Sequence, residues 1–178
     1  MYAVISELDS KASQYVSGVW KDLCQACGLL AIFDVPTPHF SWLVAEEIDL
    51  ERTSTILSQI SRNVQSFTLH IFGLGIFTGE YPILYLPLVK SIEMINLHNS
   101  IWDQISPLCA NLQYYYSPKL WVPHITLALK DLTKENIACA ISAIAFDPIE
   151  LYVHVENLAI ARNEDEQEGK ILEYHHII

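Results

Sequence analysis

The chain has 178 residues, 21 of them acidic and 10 basic, for a formal net charge of −11, and 51% of it is hydrophobic. These values describe one globular domain able to bury a core without staples, and they exclude a disordered chain. They also argue against duplex nucleic acid and against an anionic membrane surface as partners, since both demand clustered Lys and Arg. A small anion held by a few pointed donors stays compatible, because a local site need not follow the net charge.

In chain order, residues 2–8 are apolar and β-favouring and predict a first strand. Asp9 and Ser10 offer a cap for a helix from Ala12 to about Leu29, ending near Gly28. Pro36 and Pro38 hold the next segment extended and lead into a strand from Phe40 to about Glu46. A helix is predicted from Asp49 to about Val64, then a strand from Ser66 to Phe77 bent at its glycines, a turn, and a strand from Ile83 to Val89. Residues 91–109 read as a helix, which includes His98, and 113–119 as a loop. A strand around 121–129 precedes a helix from Asp131 to about Ala145, which Asp147 and Pro148 break. Ile149 to Ala161 reads as one strand, the acidic run 164–168 as a solvated turn, and Ile171 to Ile178 as the last strand.

Two stretches share one grammar. Pro38-His39-Phe40-Ser41-Trp42 and Pro123-His124-Ile125-Thr126-Leu127 both read Pro-His-x-hydroxyl-apolar, and they lie 85 residues apart (124 − 39). Side chains i and i+2 of a strand share a face, so each motif sets an imidazole beside a hydroxyl and sends Trp42 the other way, into the core. The helix, strand, polar turn and strand that follow each motif are also repeated, which marks an internal duplication. Alternating helices and hairpins predict an α+β fold: a single bilobed domain over 1–178, with lobes at about 31–90 and 113–178. Two helix-backed antiparallel sheets would face across a central cleft, and packing about a pseudo-twofold would bring the two motifs together there.

With a reference pKa near ~6.5, two imidazoles could take and give a proton near neutral pH, while two hydroxyls donate to an oxyanion. The paired motifs resemble the signature of the two-histidine phosphoesterase superfamily, in its 2′-5′ RNA ligase-like and cyclic phosphodiesterase branch. The resemblance spans essentially the whole chain. The second motif is close to the family form; the first carries Ser41 where Thr is commoner and Trp42 where an aliphatic residue is usual. The resemblance implies metal-independent hydrolysis or transesterification of a phosphodiester, typically a 2′,3′-cyclic phosphate of an RNA end or small nucleotide. A reversible 2′-5′ RNA ligase activity is also within what it implies. His39 and His124 would be catalytic, and Ser41 and Thr126 would bind phosphate. The alternative is a non-catalytic nucleotide- or protein-binding member of the same fold; the intact His and hydroxyl pairs favour the enzyme.

Around this centre, Tyr116 and Trp121 are candidates to stack a base, and Lys119 to steer an anionic substrate. Tyr85 and Tyr174, at equivalent places in the final strand of each half, are candidates to line the cleft. His70 and His154 alternate with aliphatic residues and read as ordinary strand positions; His175 and His176 lie near the C-terminus. No carboxylate or further His stands at ligand spacing from either motif, so neither metal nor cofactor is expected. Cys24 and Cys27 lie in a helical run and read as two small, partly buried side chains; Cys109 and Cys139 are scattered. No apolar run reaches the ~18 residues of a membrane span and no basic leader opens the chain, so a soluble cytoplasmic protein is expected, and it is taken to be a monomer.

Overall fold

The computed structural model describes residues 1–162 and 169–178, so the predicted acidic turn at 164–168 lies outside the described residues. The strands are β1 (Tyr2–Glu7), β2 (His39–Ile48), β3 (Phe67–Phe72), β4 (Gly75–Phe77), β5 (Ile83–Pro87), β6 (Cys109–Leu112), β7 (His124–Ala128), β8 (Glu150–Val155), β9 (Asn157–Arg162) and β10 (Lys170–His176). The α-helices are α1 (Ser10–Cys27), α2 (Leu50–Ser61), α3 (Ile92–Ile105) and α4 (Ile137–Ser142). The larger sheet runs β10-β9-β1-β2-β7-β5-β4, with β6 also on β2; β3 and β8 form a second, two-stranded sheet. All pairings are antiparallel, and the fold is α+β.

The helices start where short polar side chains meet free backbone N–H groups. Asp9 accepts from Lys11 and Ala12, Asp49 from Arg52, and Ser91 from Met94. Helix α1 ends on Gly28, whose φ of 71° is the left-handed cap that glycine adopts without strain. Helix α4 is shorter than predicted. Thr133 N–H donates to the Asn136 side chain and Asn136 donates back to the Asp131 carbonyl, which diverts this stretch from helical bonding. The single strand predicted over 149–161 is two strands in different sheets, parted at Glu156.

The two repeats interleave. β2 belongs to the half sheet β10-β9-β1-β2, against which α2 and α3 pack, and β7 to the half β7-β5-β4. Strands that follow one histidine motif therefore sit beside the other. The segments 31–90 and 113–178 are proposed as the units of the repeat, not as boundaries in the sheet. The halves meet at a narrow seam, where Phe40 pairs with Ile125, its own equivalent 85 residues on (125 − 40). Both side chains are buried beneath the sheet.

A further correction concerns the cysteines. Cys27 is bonded to Cys139, 112 residues away, because the end of α1 packs on α4; Cys24 and Cys109 are the free thiols. Local spacing had pointed only to the Cys24–Cys27 neighbours.

Beneath the first motif lies an aromatic stack. Trp42, fully buried, donates its indole N–H to Ser6 Oγ at 2.8 Å, which donates onward to the Asn157 carbonyl at 2.6 Å. The Trp42 ring lies 5.4 Å from that of Trp121, and Trp121 stacks on His98 at 3.8 Å. His98 Nε2–H donates to the carbonyls of Trp42 and Tyr116, yet burial drives its pKa down to about 4. An unfolded histidine titrates near ~6.5. The neutral ring therefore favours the fold fully above that pH, and the contribution is lost as pH falls toward 4. Urea midpoints are expected to fall between pH 6.5 and 4, and His98→Gln is expected to flatten that dependence.

Candidate active site

Each motif histidine is positioned by the proline before it. Pro38 and Pro123 bias Thr37 and Val122 toward extended conformations. The proline carbonyls are anchored in turn: Leu8 N–H donates to Pro38 at 3.2 Å and Leu88 N–H to Pro123 at 3.0 Å. In this geometry His39 Nδ1 reaches the Thr37 carbonyl at 2.8 Å and His124 Nδ1 the Val122 carbonyl at 2.7 Å. A carbonyl only accepts, so each Nδ1 carries the hydrogen. In the neutral ring the lone pair is therefore on Nε2.

The seam brings the motifs together. Counting outward from the Phe40–Ile125 pair, antiparallel register sets His39 opposite Thr126 and Ser41 opposite His124. All four side chains line one cavity of about 330 Å³. Two indoles hold its floor, Trp20 N–H on the Thr126 carbonyl at 3.0 Å and Trp121 N–H on that of Ser41 at 3.1 Å. Ile32, Val35, Pro36 and Gly169 also line the cavity. This segment is pinned where Asp131 accepts from the N–H groups of Leu30 and Ala31, and where Gly169 N–H donates to the Asp34 carbonyl. A Cβ on Gly169 would come within 2.8 Å of the Pro36 ring, so only glycine allows this approach.

Burial lowers the pKa of His39, and the neighbouring His124 lowers it further, against the opposing bond to Thr37. Burial lowers His124 as well, opposed by its bond to Val122. Two imidazolium ions in one cavity disfavour one another, which is the sense in which His124 lowers His39. Tyr116 closes the cavity beside Ser41. Burial raises its phenol pKa, while a hydrogen bond with the Ser41 hydroxyl draws it down.

Tyr116, Ile83 and His124 are shared with a second chamber of about 520 Å³. Phe77, Tyr115, Trp121, Ile76, Leu120 and Val122 supply most of its remaining wall. The predicted stacking residues Tyr116 and Trp121 are therefore both at the site. Tyr85 lines neither cavity. Its ring stacks on Phe77 at 4.1 Å, and the two rings meet His124 at 5.3 and 4.8 Å, so Tyr85 braces the histidine. It can lie there only because Gly75 has no side chain, a Cβ being 2.4 Å from the tyrosine ring.

Tyr174 shares the face of Ser41 through the paired row Ser41, Ile5, Ala159 and Tyr174. That row puts it three strand spacings away, about 14 Å, and outside both cavities. Lys119 is exposed on its loop and lines neither. His70 and His154 lie on the open face of the two-stranded sheet, away from the site. Trp20 and Phe77 join the site from segments with no motif of their own. Among the described residues, no group of three or more His, Cys, Asp or Glu side chains is arranged to hold a metal ion. Nor, among the described residues, is any helix long and apolar enough to cross a membrane.

Two pinned imidazoles and two hydroxyls converging on one cavity form an acid–base site suited to phosphoester chemistry. The family model of the 2′-5′ RNA ligase superfamily matches residues 25–167, and the chain belongs to that superfamily of two-histidine phosphoesterases. Among solved structures it is similar to a protein of Thermus thermophilus, at 16% identity and a TM-score of 0.69 over 99% of this chain and 97% of that one. A structure described as a phosphoesterase aligns at 17% identity and TM-score 0.67, over 99% and 97% of the two chains. E. coli LigT complexed with ATP aligns at 15% and 0.63, over 99% and 96%. LigT has also been solved with 3′-AMP. Comparison with curated protein sequences finds no match.

The coupling between the imidazoles has a direct readout. In a pH titration followed by imidazole NMR, His39 and His124 are expected to titrate below the ordinary histidine value. His124→Gln is expected to raise the pKa of His39. An unmoved His39 would show that the rings do not sense each other.

Proposed function

We propose that this protein is a metal-independent phosphodiesterase that opens 2′,3′-cyclic phosphates of nucleotides. The observation that carries the reading is the pair of Nε2 atoms, each with its Nδ1–H tied to a carbonyl, in one cavity with Ser41 and Thr126. One Nε2 accepts a proton from water as the water oxygen bonds to phosphorus. The other, protonated, gives its proton to the ribose oxygen as the phosphorus–oxygen bond breaks, leaving a phosphomonoester. The hydroxyls of Ser41 and Thr126 donate to the non-bridging oxygens, where charge builds. With an RNA 5′-hydroxyl in place of water, the same groups would serve 2′-5′ ligation: the 5′ oxygen bonds to phosphorus and gives up its proton as the ribose 3′ oxygen leaves and takes one.

The complexes of LigT with ATP and 3′-AMP support a nucleotide as ligand. The aromatic chamber beside His124 suits its base, since stacking on an aromatic side chain contributes about 1–3 kcal/mol. The reading includes a monomer acting in the cytoplasm, where the Cys27–Cys139 pair would stand reduced.

His39→Ala and His124→Ala are each expected to lower kcat on a nucleoside 2′,3′-cyclic phosphate by about 10²–10⁴-fold, with turnover of the unaltered enzyme unchanged by excess chelator. Binding without turnover would favour the non-catalytic alternative; chelator sensitivity would remove the metal-independent mechanism. The pH profile supplies a separate check. The proton on the acid histidine is lost as pH rises through a value below ~6.5, because both rings are lowered from it. kcat/KM is therefore expected to decline on the alkaline side with an apparent pKa under that of a free imidazole.

A further inference from the structure

The two motifs carry different alcohols. Thr126 has a β-methyl, which limits it to few rotamers, whereas Ser41 lacks that methyl and can turn among all the staggered ones. The Trp121 indole grips the Ser41 carbonyl, but that bond leaves the Ser41 side chain free to rotate. A donor to a phosphoryl oxygen acts best when its direction is set before the substrate arrives.

Tyr116 stands where it can set that direction. It lines the cavity together with the four motif side chains, and its phenol hydroxyl hydrogen-bonds the Ser41 hydroxyl. Its main chain is tied on both sides: Tyr116 N–H donates to the Gln113 carbonyl at 3.0 Å, and the Tyr116 carbonyl accepts from His98 Nε2–H at 3.0 Å. His98 is buried and stacks on Trp121, so one side chain steadies both the phenol and the main chain of Ser41. The repeat supplies the complementary case. The position 85 residues before Tyr116 is Ala31, and the short turn Ala31–Asp34 ahead of the first motif contains no serine, threonine or tyrosine. The alcohol that has a methyl meets no hydroxyl from its equivalent turn, and the alcohol without one meets Tyr116.

We infer that Tyr116 is a positioning residue that does for Ser41 what the methyl does for Thr126: its phenol donates to Ser41 Oγ, so that the Ser41 hydrogen points at a phosphoryl oxygen. A serine hydroxyl has one hydrogen to give and lone pairs to receive with, so both bonds form together. Burial raises the phenol pKa and lowers those of the two histidines, which keeps the phenol protonated while they titrate. The inference rests on the phosphodiesterase reading and adds a residue to it. It concerns the Tyr116 hydroxyl alone, and is separate from any stacking by the ring where it borders the aromatic chamber.

Tyr116→Phe removes the hydroxyl and keeps the ring. On adenosine 2′,3′-cyclic phosphate, kcat is expected to fall about fivefold to tenfold, the scale of one hydrogen bond, with KM changed by less than about twofold. Ser41→Thr is expected to raise kcat more in the Tyr116→Phe background than beside an intact Tyr116, because only there is the methyl needed. An unchanged kcat, a rise in KM alone, or a loss that Ser41→Thr does not relieve overturns the inference. Calorimetry with adenosine 3′-phosphate makes the same comparison without turnover, since its dianion already places on Ser41 the charge that a cyclic ester develops only in reaction. Tyr116→Phe is expected to weaken that binding and Ser41→Thr to restore it; equal binding by the two proteins, or none, overturns the inference as well. If the unaltered protein turns over no cyclic phosphate, the phosphodiesterase reading fails, while the calorimetric comparison still decides whether Tyr116 directs Ser41.

Discussion

The site depends on one strand contact, the pairing of Phe40 with Ile125. Both residues point into the core, so the residues on either side of each must point into the cavity. Burying two such side chains contributes about 1.5–3 kcal/mol each, which ties the register to the hydrophobic core. A slip by one residue would turn both histidines into that core and both apolar side chains into the cleft. The indole bonds of Trp20 and Trp121 reinforce the same register, because each grips the carbonyl of a hydroxyl-bearing motif residue. Trp121 is itself held by stacking on His98, so the position of Ser41 is linked to a helix that never reaches the cavity.

The electrostatic design follows from the same burial. An imidazolium in a desolvated cavity beside a second one is disfavoured, and the pair accordingly resists full protonation. A bound phosphate reverses that balance, since an anion between the rings stabilises one added proton. On the proposed reading, the site takes up its acid proton most readily when substrate is present. That reading needs no arginine cluster, and a chain of such negative charge can carry it.

The duplication and the motif residues were legible in the sequence because they are local: Pro-His-x-hydroxyl-apolar is contained within five residues and recurs with its flanking elements. What surrounds them was less legible. Trp20 and Phe77 reach the site through tertiary packing, and nothing in their own neighbourhoods distinguishes them from core aromatics. Tyr85 was singled out by its place in the repeat, yet its role is to brace His124, a relation that depends on the missing side chain of Gly75 across the strand pair. Helix α4 was overextended because apolar periodicity outweighed the side-chain bonds of Asn136. The Cys27–Cys139 bond joins segments 112 residues apart and leaves no trace in local spacing.

Although the motifs are related by a local twofold, the cleft around them is not symmetric. The aromatic chamber touches His124 and not His39, and Phe77 and Tyr85 press only on His124. On the proposed reading, a base in that chamber draws its ribose to the same side. The ribose oxygen that leaves phosphorus then lies toward His124, and the in-line position for water falls toward His39. On that reading two chemically identical groups take different tasks, His124 protonating the leaving oxygen and His39 accepting the proton of water. The asymmetry comes from the second chamber rather than from the histidines themselves, since each is tied to a carbonyl two residues back in the same way.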